Sequence, residues 1–223
     1  MKARGVTGSL FDEEVLETPR SRETLAPGAV LLRGFALDQE RELRKALERI
    51  EVNAPFRHMI TPGGYRMSVA MTNCGDFGWI TDRRGYRYDA LDPDSGKPWP
   101  KMPAVFLDLS ERAAAAAGYP GFVPDACLIN RYEPGSRLSL HQDRNEEDFG
   151  APIVSVSLGL PATFLFGGDQ RSDRPKRVPI RHGDVAVWGG PSRLAFHGIA
   201  PLKEGEHETM GRQRINLTLR RAR

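Results

Sequence analysis

The sequence predicts a mainly β fold with flanking helices, its strands closing as a double-stranded β-helix (jelly roll). Three observations carry this. First, 17 prolines and 23 glycines cut the 223-residue chain into short apolar runs, a pattern of strands and turns rather than of a helical bundle. Second, eight such runs succeed one another after residue 125, separated by Gly, Pro and Asp, which suits a double sheet. Third, only two stretches with helical periodicity lie ahead of them.

Taken in order, residues 1–27 are charged and without sustained periodicity. They are expected to form a loosely held arm with one amphipathic turn around Leu10, Phe11 and Leu16. Residues 28–223 then form a single catalytic domain, made of an N-terminal part (28–124) and a jelly-roll core (125–223). Residues 29–33 are a strand. Residues 38–50 are a helix with Asp38 as N-cap and apolar positions 43, 46, 47 and 50 on one stripe, the face that packs on a sheet. From 56 to 99 the chain is rich in Gly, Tyr, Trp, Met and Asn with poor periodicity, the signature of a binding lid. Residues 103–118 return to helix and end at Gly118-Tyr-Pro120. The core strands are expected at 126–132, 137–142, 153–160, 162–166, 177–180, 184–188, 193–198 and 213–220.

Lys and Arg number 32 against 29 Asp and Glu, so the charge of +3 permits a nucleic acid partner without requiring one. The two cysteines, Cys74 and Cys127, have no metal or disulfide spacing and read as buried free thiols in a reducing cytoplasm. No apolar run suggests a leader or a membrane span. A soluble, cytoplasmic monomer is expected.

The chemistry gathers in His141-Gln-Asp143, in His197, and in the alternating run Arg214-Ile-Asn-Leu-Thr-Leu-Arg220. Residues two apart on a strand share a face, so His141 and Asp143 can reach one metal, with His197 arriving from a neighbouring strand. Two imidazoles and a carboxylate cap one face of an octahedral Fe(II) and leave three positions open. Alone, an HxD with a distant His is a weak signal that also matches a zinc hydrolase. On the last strand Arg214, Asn216, Thr218 and Arg220 oppose Ile215, Leu217 and Leu219. In a half-exposed strand that polar face would meet water. Inside a barrel its two guanidiniums need anionic partners, and a dicarboxylate supplies them. Asn130 and Tyr132, again two apart, present an amide and a phenol to the same ligand. Trp99 and Trp188 are read as packing residues, His58, His182 and His207 as non-ligands, and the tail 220–223 as a solvated end.

Thr61-Pro-Gly-Gly-Tyr-Arg-Met-Ser-Val-Ala-Met-Thr-Asn-Cys-Gly75, Pro124-Asp-Ala-Cys-Leu-Ile-Asn-Arg-Tyr132, Leu138-Ser-Leu-His-Gln-Asp143 and Ala151-Pro-Ile-Val-Ser-Val-Ser-Leu-Gly-Leu-Pro161, with the 214–220 strand, resemble the bacterial AlkB family of alkylation-repair dioxygenases. The resemblance runs from about residue 26 to residue 220. It implies a jelly roll of the Fe(II)/2-oxoglutarate dioxygenase type, with iron held by His141, Asp143 and His197. It implies 2-oxoglutarate clamped by Arg214 with Tyr132, in a pocket completed by Asn130, Asn216, Thr218 and Arg220, and O2 as the oxidant. It further implies a methylated base turned out of single- or double-stranded DNA, or RNA, to lie between Trp79 and His141. Thr61, Tyr65 and Met67 line that mouth, Tyr86, Arg87 and Tyr88 meet the substrate backbone, and Arg171 sits beside the base. Oxidation of the N-methyl group would release formaldehyde, with succinate and CO2 from the cosubstrate.

One departure bears on selectivity. Where the bacterial type has an acidic residue two places after the iron aspartate, this chain has Asn145, which removes a charge attraction for cationic 1-methyladenine and 3-methylcytosine. Glu146 compensates only if its loop turns it inward. The departure leaves open the same chemistry on tRNA or a protein side chain. A non-catalytic module that binds modified nucleic acid is the other alternative.

Overall fold

A computed structural model describes residues 20–223. Its strands are β1 (Arg22–Ala26), β2 (Ala29–Leu32), β3 (Ala70–Gly75), β4 (Gly78–Asp82), β5 (Gly85–Asp89), β6 (Ala126–Tyr132), β7 (Leu138–His141), β8 (Ile153–Gly159), β9 (Ala162–Phe166), β10 (Lys176–Ile180), β11 (Val185–Trp188), β12 (His197–Ile199) and β13 (Arg214–Arg220). Helix α1 (Glu40–Asn53) follows β2, and α2 (Ala104–Ala116) follows β5.

Seven strands form a major sheet in the order β1-β2-β11-β8-β13-β6-β3, four form a minor sheet in the order β10-β9-β12-β7, and β4-β5 stand apart as a hairpin. The pleat of the major sheet divides its residues between two cores. Val30, Leu32, Cys127, Ile129, Val154, Val156, Val185, Val187, Ile215, Leu217 and Leu219 meet Leu43, Ala46, Leu47 and Ile50 of α1 and Phe106, Leu109, Ala113 and Ala114 of α2. Their neighbours Leu31, Leu128, Tyr132, Ile153, Ala186 and Trp188 meet Phe164, Phe166, Ile180 and Ile199 of the minor sheet. This second layer is where polar residues interrupt the apolar pattern and open a cavity.

The jelly roll and both helices agree with the sequence reading. Several boundaries do not. Arg22–Ala26 falls inside the expected arm yet pairs antiparallel with β2 across the turn at Gly28. Gly28 has φ +75°, and a Cβ there would come within 2.5 Å of the Gly189 carbonyl oxygen, so this turn requires glycine. The amphipathic turn expected around Leu10, Phe11 and Leu16 lies outside the described residues. The stretch 56–99 holds three strands. Of these, β3 is buried along its whole length, so it shows no alternation, and Ala70-Met-Thr-Asn-Cys-Gly75 has few strand-favouring residues. Asp38 does not cap α1. It lies in a single 3-10 turn and pairs with Arg20.

A 3-10 turn at Gly190–Ser192 runs into a further turn and irregular backbone over 193–196 in place of the first part of the strand expected at 193–198, and β12 starts only at His197. The tail is docked through its backbone and Ala222, while the side chains of Arg221 and Arg223 are exposed, as a solvated end would have them. The carboxylate of Asp125 accepts the N–H groups of Ala222 and, at 3.0 Å, of Arg223, and the carbonyl of Ala222 accepts the N–H of Glu147 at 3.0 Å. Among the described residues no helix is long and apolar enough to cross a membrane.

Candidate active site

The three expected metal ligands meet because β12 and β7 are neighbours whose register sets His197 opposite His141. Their ring centroids are 4.4 Å apart. Asp143 lies just past the end of β7, with Oδ1 3.7 Å from His141 Nε2 and Oδ2 3.6 Å from His197 Nε2. One ligand atom from each residue falls within 4.8 Å of the others, and among the described residues no other trio of metal-ligating side chains does so. Each imidazole directs Nδ1 at a backbone carbonyl, His141 at Ser139 (2.9 Å) and His197 at Ala195 (3.0 Å). With Nδ1–H donating there, the Nε2 lone pair points at the centre.

Burial and then the neighbouring His141 push His197 down to about 4, which keeps it neutral. Burial opposes ionisation of Asp143, but the Arg220 guanidinium against it outweighs burial and holds the carboxyl well below its usual range. A neutral His197 beside an ionised Asp143 is the state in which both can ligate a divalent cation. Trp188, read from the sequence as a packing residue, does pack, and its partner is His197 with centroids 4.9 Å apart.

The triad opens on a cavity of about 900 Å³ lined by Asn130, Tyr132, Arg214, Asn216, Thr218 and Arg220. Arg214 is wholly buried. Its guanidinium lies 5.0 Å from the Tyr132 ring centroid and donates through Nη2 to Ser157 Oγ at 2.8 Å. Nε and Nη1 have no hydrogen-bond partner among the described residues, and neither does Oδ1 of Asn130. A buried guanidinium with two donors idle and no carboxylate facing it calls for an anion with two oxygens. A dicarboxylate cosubstrate fits that demand, and the His-Asp-His donor set fits Fe(II).

Arg220 is committed differently: Nε and Nη2 lie 2.9 and 2.7 Å from Asp143 Oδ2. Asn216 is a scaffold, its amide donating to Ser155 Oγ (2.8 Å) and Val156 O (3.0 Å) and accepting from Thr218 Oγ1 (3.0 Å). Ser155 and Ser157 escaped the sequence reading. Their signal was the two hydroxyls at alternate places of an otherwise apolar strand.

At the mouth stand Thr61, Tyr65, Met67, Trp79, Tyr86, Asn145 and Arg171, with His141 facing them, 34% of its side chain exposed. Trp79 and Tyr86 stack with centroids 5.7 Å apart, and the Trp79 indole N–H donates to Asn145 Oδ1 at 3.2 Å. Arg66, Arg137 and Arg144 line the same mouth and were not singled out from the sequence.

Two residues expected to meet the substrate backbone, Arg87 and Tyr88, do not line the cavity. Arg87 grips Asp82 through both terminal nitrogens (3.1 and 2.9 Å), bracing the turn in which Asp82 accepts the N–H of Arg84. Tyr88 is buried, and its hydroxyl donates to Glu146 Oε1 at 2.5 Å. Glu146 does turn inward, but towards Tyr88 and Arg193, whose Nη2 donates to it at 3.1 Å. Its charge is neutralised there and does not replace the acidic residue missing at 145.

Residues 28–220 match the 2OG-Fe(II) oxygenase superfamily. The chain is 59% identical over 201 residues to the alpha-ketoglutarate-dependent dioxygenase AlkB of Escherichia coli K12, covering 90% of this chain and 93% of that one. It is 44% identical to the AlkB homolog of Caulobacter vibrioides (strain NA1000 / CB15N), covering 90% of each. The solved structure of OsALKBH1 superposes with a TM-score of 0.80 at 29% identity, over 90% of this chain and all of that one. The chain therefore belongs to the 2OG-Fe(II) oxygenase superfamily and, within it, to the AlkB alpha-ketoglutarate-dependent dioxygenases, enzymes that work with Fe(II), 2-oxoglutarate and O2.

Proposed function

We propose that the protein removes N-methyl groups from bases of alkylated DNA, such as 1-methyladenine and 3-methylcytosine, as a cytoplasmic monomer whose catalytic domain is residues 28–223 with β1 added to its sheet. The observation that carries this reading is the pairing, in one cavity, of the His141–Asp143–His197 cluster with the unpartnered donors of Arg214, below a mouth built on Trp79. His141, Asp143 and His197 would hold the iron, and Arg214 the far carboxylate of 2-oxoglutarate. Bound there, iron with 2-oxoglutarate and O2 supplies the oxidation of the N-methyl carbon to hydroxymethyl. The C–N bond then breaks, formaldehyde leaves, and the base is restored. The chain's own contribution is placement. Trp79 gives the base a π face opposite His141, the apolar walls exclude water, and Arg220 keeps Asp143 ionised and oriented.

The test is formaldehyde release from a methylated oligonucleotide, expected in proportion to succinate and absent without 2-oxoglutarate. Equal release without the cosubstrate would overturn the reading, as would a strong preference for peptide over methylated DNA and RNA in competition.

The same assay measures selectivity at Asn145. The Asn145→Asp variant keeps an oxygen for the Trp79 N–H and restores a negative charge at the mouth. Since residue 145 is exposed, its attraction for a cationic base is screened, and the expected gain in kcat/KM on 1-methyladenine and 3-methylcytosine is roughly fivefold, about 1 kcal/mol. No gain, or an equal gain on neutral methylated bases, would show that charge at this position does not set preference.

A further inference from the structure

The β4–β5 hairpin belongs to neither sheet of the jelly roll, yet two directly opposed residues of it reach the segment that carries the metal carboxylate. Trp79 and Tyr88 are partners in the hairpin register. Trp79 donates to Asn145 and Tyr88 donates to Glu146, consecutive residues two and three places after Asp143. The two contacts differ in kind. Trp79 and Asn145 meet in the open mouth, where a base entering against the indole competes for the same amide. Tyr88 and Glu146 are buried and tied further in.

The inner contact leads directly to the ligand set. The oxygen of Tyr88 accepts from Arg220 Nη1 at 3.3 Å, while Nε and Nη2 of the same guanidinium hold Asp143 Oδ2. Arg193 closes the circuit, donating to Glu146 Oε2 and, at 2.8 Å, to the backbone carbonyl of Asp143 itself. Two carboxylates and two guanidiniums balance here, out of contact with water. Burial, the first cause, pushes the Tyr88 phenol well above its ordinary range, so it remains a donor to Glu146. Fastening Asp143 alone does not require a phenol from a separate hairpin.

We propose that Tyr88 and Glu146 are positioning residues that couple the substrate-binding hairpin to the Asp143 carboxylate, so that filling the metal and dicarboxylate site orders the hairpin. The inference rests on the reading of that cavity given above. With a divalent cation bound, Asp143 would share its charge between the ion and Arg220, and the guanidinium would turn more to Glu146, 3.6 Å from its Nε, to Tyr88 and to the incoming anion, which would strengthen the Tyr88 contact. Coupling is reciprocal, so a hairpin engaged by substrate in turn favours the loaded site.

The test is amide hydrogen exchange of the full chain, metal-free and then loaded with Mn(II) and N-oxalylglycine, a non-reacting analogue of 2-oxoglutarate. In the wild type, loading is expected to slow exchange across Gly78–Asp89. In Tyr88→Phe, and in Glu146→Gln as a second isosteric variant, that added protection is expected to fall by roughly fivefold, the worth of one net hydrogen bond, with Mn(II) still bound one per chain. With substrate present, the same variants are expected to consume more 2-oxoglutarate per formaldehyde released. Equal protection in wild type and Tyr88→Phe, or no protection on loading the wild type, would overturn the proposal. Failure of every methylated nucleic acid as substrate with the exchange result intact would remove the substrate reading and leave the coupling standing.

Discussion

Replacing His141 by alanine is expected to lower turnover about 10³-fold or more, a loss of about 4 kcal/mol of transition-state stabilisation, while leaving the metal-free protein folded. Both halves of this expectation come from position. His141 ends β7 with its Nε2 facing Asp143 and His197, so its removal leaves two of three ligands for the metal. It is also the most exposed of the three, and losing it opens no sealed cavity. Asp143→Ala would be a poorer probe, because it leaves the buried guanidinium of Arg220 with only Glu146, 3.6 Å away, as a counter-charge, and breaking a buried pair by itself costs up to roughly 3–5 kcal/mol of stability. Circular dichroism and a melting curve on metal-free His141→Ala separate the two effects. Turnover within tenfold of wild type would remove His141 from the metal site.

The second large effect is expected at Arg214. Replacing it by methionine keeps the apolar stem and removes the two idle donors together with the Nη2 bond to Ser157. Two charge-assisted bonds to a carboxylate contribute roughly 3 kcal/mol together, so 2-oxoglutarate is expected to bind on the order of 100-fold more weakly. Stability separates a ligand clamp from a structural ion. In the free protein Arg214 is a buried cation with no carboxylate facing it among the described residues, and burial draws its pKa down. Methionine should therefore leave the free protein as stable as wild type or slightly more so. At a 2-oxoglutarate concentration of about 100 times the wild-type Kd, linkage adds about 2.7 kcal/mol to the wild type and about 0.4 kcal/mol to the variant. A large loss of stability in the free protein, or undiminished stabilisation by 2-oxoglutarate, would show that Arg214 serves the fold and not the ligand.

The parts of the site legible in the sequence are those whose spacing follows the strand period. Arg214, Asn216, Thr218 and Arg220 could be placed on one face because β13 is regular over seven residues, and Asn130 and Tyr132 because β6 is regular opposite it. The pairing of Asp143 with His141 came from the same rule, although Asp143 in fact lies beyond the strand end. What escaped was whatever depends on loops and on long-range register. Nothing local shows that Arg193, in a turn expected as strand, reaches Glu146, or that Tyr88 enters a buried network while Tyr86, two residues before it, lines the mouth. Strand β3 was hidden by burial on both sides, and β1 by its short, polar, edge-strand composition.

The proposed chemistry requires one cavity to bind a ferrous ion through three side chains and a dicarboxylate through Arg214. Anaerobic titration of the metal-free protein with Fe(II) and then 2-oxoglutarate, followed by the visible charge-transfer absorption of the chelate, tests it most directly. The expected result is one iron per chain and a band that develops only with 2-oxoglutarate, is lost in His141→Ala, and needs on the order of 100-fold more 2-oxoglutarate in Arg214→Met. A band of equal amplitude at equal 2-oxoglutarate in all three proteins would contradict the account.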